Sequence, residues 1–386
     1  MKLKKLTPEA VKGKRIAYRV DYNVPLKDGK INDPSRIALT IPTIKFLLKS
    51  GAKEIHIFSH LGRPKTPKDE EYSMQILVPE LEKLLKKKCH FQKNYTPGKE
   101  QIQIHGNLRF EQGEATNDPK FVQKILNTGV DLYINDAFSV CHHIYASVVG
   151  CATFLPSYPG FIVQKEVESL SPLQVRSKQK KLTILVGGAR LETKLGALLH
   201  YAKVAEDLVI GGVLANSFLA FEGLNVGKSL IDRSHFGVIQ EIIDVAKENK
   251  TQIHLPTDVI VSDSLQATTV QTKKLSDLSK QDIILDLGPE TIKNFSQILK
   301  KSKEIIWNGP MGLFENNKCA KGTREMLKTI SAQKSTRTLV GGGDTLEALD
   351  KFGVDRSAFT HVSTGGVAML EFLEGKELPG IEVLCG

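Results

Sequence analysis

The chain has 386 residues, 41% of them hydrophobic and 25% charged, and a net charge of +10. That length and balance allow two domains with sizeable cores, and no run of about 18 apolar residues is present to span a membrane. Aromatic residues make up only 6%, and the lysines fall in short clusters such as Lys86–Lys88, Lys178–Lys181 and Lys300-Lys301. A groove that stacks bases between basic residues would want more aromatics, so these lysines read as solvated faces and no nucleic-acid partner is expected.

In chain order, Arg15–Val20 reads as a strand running into Asp21-Tyr22-Asn23-Val24-Pro25. Ser35 is placed to cap a helix with apolar residues at Ile37, Ile41, Ile44, Leu47 and Leu48, closed by Gly51. Glu54–Ser59 is the next strand and ends in His60-Leu61-Gly62-Arg63-Pro64. An amphipathic helix around Met74–Leu85 follows, then a strand leading to Asn107-Leu108-Arg109-Phe110. A helix from about Pro119 to Leu126 precedes the strand Leu132–Ile134, which gives way to Asn135-Asp136-Ala137-Phe138. Repeated strand–helix units indicate a parallel sheet with right-handed crossovers.

In such a sheet the loops after the strands share one face. Asp21, Asn23, Arg36, His60, Arg63, Arg109, His142 and His143 therefore converge on paper. Arginines with histidines and hydrogen-bond acceptors describe a pocket for a small, multiply anionic molecule carrying hydroxyls, since the guanidinium fork suits carboxylate and phosphate.

Gly160–Leu173 has helical spacing, and the basic segment Gln174–Lys181 after it is the natural domain boundary. The second half restarts at Leu182 and alternates strand and helix to about Leu373. Glycine turns follow its apolar runs at Gly187-Gly188, Gly211-Gly212, Gly309–Gly312, Gly341–Gly343 and Gly365-Gly366. In Thr338-Leu339-Val340-Gly341-Gly342-Gly343-Asp344-Thr345 a buried strand runs through three glycines into a helix, with Asp344 near its N-cap. A helix N-terminus with free N–H groups and no Cβ in the way is a phosphate site, and Asp344 adds a carboxylate for a metal that bridges phosphates. No Gly-x-Gly-x-x-Gly follows a strand, and Gly223–Ser229 is one residue short of a Walker A loop, so both of those nucleotide motifs are set aside. The five cysteines lack CxxC spacing, and Met1–Leu6 has no long apolar stretch after its lysines; a cytoplasmic protein without a signal peptide is expected.

The polar stretches just quoted, with Asp286-Leu287-Gly288-Pro289, Trp307-Asn308-Gly309-Pro310-Met311-Gly312, Phe314-Glu315, His361–Gly366 and Leu373–Gly380, appear in an order and spacing that resemble the phosphoglycerate kinases along essentially the whole chain. The resemblance implies an α/β protein with two doubly wound parallel-sheet domains facing a central cleft and joined by a hinge helix. Residues 1–160, with a tail from about 378 to 386, would bind 3-phosphoglycerate or 1,3-bisphosphoglycerate. Residues 161–181 would be linker helix and hinge, and 182–377 would bind ADP or ATP with Mg2+. By position, Asp21 and Asn23 would bind the hydroxyl and carboxylate side of the substrate, and His60, Arg63 and Arg109 would form its basic patch. Arg36 would approach the transferring phosphoryl group. Lys194 would contact the nucleotide phosphates and Glu315 the ribose. Gly288 would lie near the adenosine, Gly187 and Asn308 beside the nucleotide, and Gly342, Gly343, Asp344 and Thr345 near the phosphates, with Asp344 on the magnesium.

Arg36, Lys194 and the N–H groups at Gly342 and Gly365 would supply catalysis without a general base, because an ADP oxygen or a carboxylate is already ionised. A cytoplasmic monomer of glycolysis is implied.

The chain departs from the family pattern at functional loops. His143 stands where an arginine of the basic patch is usual and belongs to the expected substrate site; Arg190 stands for a lysine, Val213 and Val367 for glycines, and Gly106 for an acidic residue. Those departures keep two alternatives in view: a diverged relative with weak activity or a different acyl-phosphate substrate, and a nucleotide-binding scaffold without catalysis.

Overall fold

The computed structural model describes residues 2–96, 98, 100–174 and 181–386. It divides into two units, residues 1–170 with 376–386, and residues 171–375. The division falls inside the helix Phe161–Gln174, which meets the expected span from Gly160 to Leu173 to within one residue at each end; most of the basic segment expected to follow it, residues 175–180, lies outside the described residues.

The first unit is built on a six-stranded parallel sheet. Its order is His90–Gln92, Ile102–His105, Glu54–Phe58, Arg15–Arg19, Leu132–Asn135, Ser157–Pro159. The chain enters at Arg15–Arg19, adds strands to one side and then returns to the other, so a topological switch point lies between Arg15–Arg19 and Leu132–Asn135. Period-two alternation covers both faces. Ile16, Tyr18, Ile55, Ile57, Ile104 and Ile134 pack in one core with Ile37, Ile44 and Leu81 of the flanking helices. The alternate residues Arg19, His56, Gln103, His105 and Asn135 are buried on the other face. The tail returns to this unit: Lys4 N–H donates to Leu384 O at 3.0 Å and Gly380 N–H to Cys141 O at 2.8 Å.

The second unit repeats the plan with Gln252–His254, Asp207–Ile210, Leu182–Val186, Glu304–Asn308, Arg337–Gly341 and His361–Ser363, all parallel. It adds a three-stranded antiparallel sheet ordered Gln271–Lys274, Asp258–Ser262, Ile283–Leu287, which the strand–helix alternation did not anticipate. Gln271–Lys274 is an edge strand without buried residues, so it carries no apolar pattern to read.

Three local readings are corrected. Ser35 opens the helix Ser35–Lys49 rather than capping it; the Asp33 carboxylate accepts the Ser35 N–H at 2.8 Å and its hydroxyl at 2.7 Å. The span Met74–Leu85 is a 3-10 turn, Met74–Leu77, followed by a helix, Val78–Leu85, whose start suits Pro79 because proline has no N–H to leave unpaired in a first turn. The helix after the glycine triplet begins at Gly343, with Gly342 as its cap residue at φ +97°, so Asp344 lies in the first turn. Among the described residues no helix is long and apolar enough to cross a membrane.

Candidate active site

In the first unit, Asp21 follows the central strand and forms an ion pair with Arg36 of the next helix. It also accepts from Ser139 Oγ and, at 3.0 Å, from Asn23 N–H. Burial would raise the Asp21 carboxyl, but Arg36, His60 and these donors outweigh it and hold the group well below the carboxylate range. Asn23 Oδ1 takes the Gly62 N–H at 2.8 Å, and Arg109 donates to the Gly62 carbonyl. Gly62 has φ +63°, and a Cβ there would stand 2.1 Å from the Tyr72 ring, so only glycine fits this turn. Asn107 staples the same turn by donating to Leu61 O at 2.7 Å and Tyr72 O at 3.0 Å.

His60 is buried and its Nδ1 has no partner among the described residues. Burial pushes its imidazole down to about 3, with Asp21 opposing and Arg19, Arg109 and Arg36 adding to the shift. Burial also lowers the Arg109 guanidinium, which interacts with Tyr145, Arg63, Arg19 and Asp21. The structure thus gathers Asp21, Asn23, Arg36, His60 and Arg109, with Arg63 exposed beside Arg109. His143 is half-buried and stacks on Tyr145 at 4.4 Å between ring centroids, with His142 at 3.8 Å on it; Tyr145 links this aromatic column to Arg109.

Beneath them lies a network that sequence reasoning missed. Arg19, 1% exposed, donates to Ser147 Oγ at 2.8 Å and to Val20 O. Ser147 donates through Oγ and N–H to the two oxygens of Glu114, at 2.6 and 3.0 Å. Glu114 is buried, which raises its carboxyl against the pull of Arg19 and Ser147. Asp136, in the quoted stretch after Leu132–Asn135, has a structural job: it accepts from Tyr18, Thr43 and the N–H groups of Ile162 and Val163, at 2.6 to 3.2 Å, at the start of the helix Phe161–Gln174.

In the second unit, the glycine turns divide into two kinds. Gly187 and Gly212 are packing positions: a Cβ on Gly187 would lie 2.1 Å from Pro310 O, and one on Gly212 2.6 Å from Gly188 N. Backbone meets backbone at both positions, which is a packing reason for glycine there. Gly343 differs, because nothing lies within 4 Å of its Cβ position. It opens a helix of nine residues with Asp344 exposed next to it, so the space and the dipole remain free for an anion.

Lys194, 6% exposed, reaches this corner and donates from Nζ to Gly187 O at 2.6 Å. Burial depresses it to about 8, with Asp344 opposing and Arg190 adding to the shift. Among the described residues no three His, Cys, Asp or Glu side chains cluster to hold a metal. A lone carboxylate such as Asp344 fits magnesium that keeps its waters and binds phosphates as its other ligands.

Several expected contacts take other partners. Gly365 N–H donates to Ser363 Oγ at 3.0 Å and is not a free donor. Thr345 is buried, and its hydroxyl accepts the Gly309 N–H at 2.7 Å. Asn308 is buried, with its carbonyl accepting from Gly187 N–H at 3.0 Å and its amide beside Gly342. Gly288 packs against the Asp258 carboxylate, where a Cβ would meet Cγ at 2.2 Å, and does not line the nearby cavity. That cavity, of about 420 Å3, is lined by Gly188, Val213, Asn216, Leu285, Glu315 and Asp344 among others. Val213 and Val367 lie in helices at ordinary φ, so neither is strained; Val213 narrows the cavity instead.

A sequence model of the family described as phosphoglycerate kinase matches residues 6–376. The phosphoglycerate kinase of Thermosipho africanus is 39% identical over 388 residues, covering 96% of this chain and 95% of that one. That of Wolbachia sp. subsp. Brugia malayi is 38% identical over 385 residues, 96% of each chain. The structure of phosphoglycerate kinase from Coxiella burnetii matches with a TM-score of 0.83 at 34% identity, covering 97% of this chain and 96% of that one. With a family model over residues 6–376 and relatives 38–39% identical over 96% of its length, the chain belongs to the phosphoglycerate kinase family.

Proposed function

We propose that the chain catalyses reversible phosphoryl transfer between 1,3-bisphosphoglycerate and ADP, giving 3-phosphoglycerate and ATP. The observation that carries this reading is the coexistence of two anion sites of different kind in a chain of this family. One is the Asp21, Arg36, His60, Arg109 cluster, rich in forked cations and suited to a small phosphorylated acid. The other is the Lys194, Gly343, Asp344 corner beside an apolar cavity, suited to a nucleotide.

In the forward direction a β-phosphate oxygen of ADP attacks the acyl phosphate, the bond from phosphorus to the carboxyl oxygen breaks, and 3-phosphoglycerate leaves as its carboxylate. Neither nucleophile nor leaving group needs a proton moved, so the residues act by position and charge. Arg36, turned from Asp21, meets the charge spread over the equatorial oxygens. Arg63, Arg109 and the His142–His143–Tyr145 column hold the far phosphate and carboxylate side, and Asn23 the hydroxyl. Lys194 meets the nucleotide phosphates, and the first-turn N–H groups at Gly343 add the helix dipole. Magnesium held by Asp344 would neutralise phosphate charge. Glu315 lines the cavity where the ribose would lie. Residues 1–170 and 376–386 thereby take the phosphoglycerate role and 171–375 the nucleotide role. The five cysteines are free, which suits work in the cytoplasm, and no second copy is needed for either site.

The test is acceptor specificity. With Mg-ATP, phosphorylation should require 3-phosphoglycerate and fail with acetate or aspartate. Equal phosphorylation of those acids would favour a diverged acyl kinase, and nucleotide binding without any transfer would favour a scaffold.

A further inference from the structure

We propose that Gly380, in the C-terminal tail, is a positioning residue for 3-phosphoglycerate: it fixes both ends of the segment that carries the His142–His143–Tyr145 column. The inference rests on the reading that this column meets the far phosphate and carboxylate side of the substrate. Gly380 N–H donates to Cys141 O at 2.8 Å, directly before His142. A Cβ on Gly380 would lie 2.8 Å from Cys141 Cα and 2.6 Å from Val148 Cγ1. The tail backbone thus touches the segment at its start and at its end, and only glycine allows the approach.

The segment depends on those two points. Cys141 and Val148 are both 0% exposed, whereas His142, His143 and Tyr145 between them are half-buried and Ile144 is 58% exposed. Cys141 is backed from the sheet, where its Sγ accepts from Asn135 Nδ2 at 3.5 Å, and Tyr145 O accepts the Val148 N–H at 3.0 Å. The tail is anchored as well. Leu378, Ile381 and Leu384 are buried, and beyond them Gly386 N–H donates to Lys2 O at 3.2 Å. A side chain at position 380 therefore presses on Cys141 and Val148 and displaces the rings between them. Those rings face parts of the substrate that do not react. Their displacement weakens ground state and transition state alike, which raises KM and leaves kcat.

The experiment measures kcat and the KM values for 3-phosphoglycerate and Mg-ATP in full-length Gly380→Ala and Ile381→Val, with urea midpoints for both. Ile381→Val thins the same tail without placing an atom next to Cys141. Gly380→Ala should raise the KM for 3-phosphoglycerate about tenfold, with kcat and the KM for Mg-ATP within about twofold. Ile381→Val should lower the urea midpoint and keep all three constants within about twofold. Equal rises in the KM for 3-phosphoglycerate at equal loss of stability would overturn the positioning role, and so would a Gly380→Ala enzyme whose kcat falls while that KM holds. If Gly380→Ala does not fold, hydrogen exchange of the Gly380 amide in the wild type decides. Saturating 3-phosphoglycerate should slow it and Mg-ADP should not; no response to 3-phosphoglycerate, or an equal response to Mg-ADP, would overturn the role. A wild type that phosphorylates no 3-phosphoglycerate would instead overturn the reading beneath it.

Discussion

The ammonium of Lys194 lies 2.6 Å from the carbonyl oxygen of Gly187, buried at the start of the helix Leu195–Val204. Burial and a helix N-terminus both disfavour a cation there, and the group falls to about 8 although Asp344 favours its charge. A lysine lowered from its unfolded value is a cost to the fold at any pH below 8, and that cost is relieved as the pH rises from about 8 toward the unfolded value. Its charge is used when phosphates arrive. Mg-ADP affinity should therefore weaken as the pH passes 8, by at most tenfold per unit, while Lys194→Met should bind weakly and with a flat profile between pH 7 and 9. Calorimetric titration checks this; a wild-type profile as flat as the variant's would separate Lys194 from the phosphates.

Two glycines at strand ends should respond oppositely to alanine. Gly62→Ala forces φ +63° on a side chain that would also strike Tyr72, so it should lose stability by roughly 1–3 kcal/mol and raise the KM for 3-phosphoglycerate. Gly343→Ala meets no atom within 4 Å and sits in a helix, so stability should hold or rise by up to about 1 kcal/mol while Mg-ADP affinity falls. Denaturant midpoints beside nucleotide titrations test the pair. A Gly343→Ala protein with unchanged affinity would mean that phosphate does not approach there.

Glu114 is the carboxylate of the Arg19–Ser147 network. Glu114→Ala leaves the buried Arg19 guanidinium without that counter-charge and should cost roughly 3–5 kcal/mol. Loss of under about 1 kcal/mol in urea unfolding would show that Val20 O and Ser147 satisfy Arg19 by themselves.

His105 is buried on the sheet, hydrogen-bonded to His56 at 3.0 Å and stacked on Phe58 at 4.6 Å. Burial, then His56, lowers it to about 3, with the Asn94 carbonyl opposing. The unfolded state therefore binds the proton first as the pH falls below about 6.5, and stability drops until about 3. At pH 5 this one group should cost about 2 kcal/mol relative to neutral pH. Unfolding midpoints from pH 7 to 5 check the slope, which should flatten in His105→Gln.

Much of this molecule was legible in its residues. Period-two apolar runs and the helix spacing of Ile37, Ile41 and Ile44 are local consequences of burial, and the helix Pro119–Leu126 falls where Pro119 and its apolar stripe put it. The convergence of Asp21, Arg36, His60 and Arg109 follows from parallel topology, which sends every strand's carboxyl end to one edge. The role of each glycine was not legible, because Gly187 and Gly343 look alike in sequence and differ only in whether Pro310 or open space lies opposite. Nor was Glu114, whose partner Ser147 is 33 residues away in the sequence.

The central claim is most directly met by measuring initial rates of ATP formation from 1,3-bisphosphoglycerate and Mg-ADP in the wild type and in Arg36→Ala. The wild type should turn over in the ordinary enzymatic range of about 1–10³ s⁻¹. Arg36→Ala should lose about 10²–10³-fold in kcat, with both KM values within about threefold, as expected for a cation whose contact strengthens only in the transition state. A wild type that binds both ligands and transfers nothing, or an Arg36→Ala enzyme that keeps kcat and loses only KM, would contradict it.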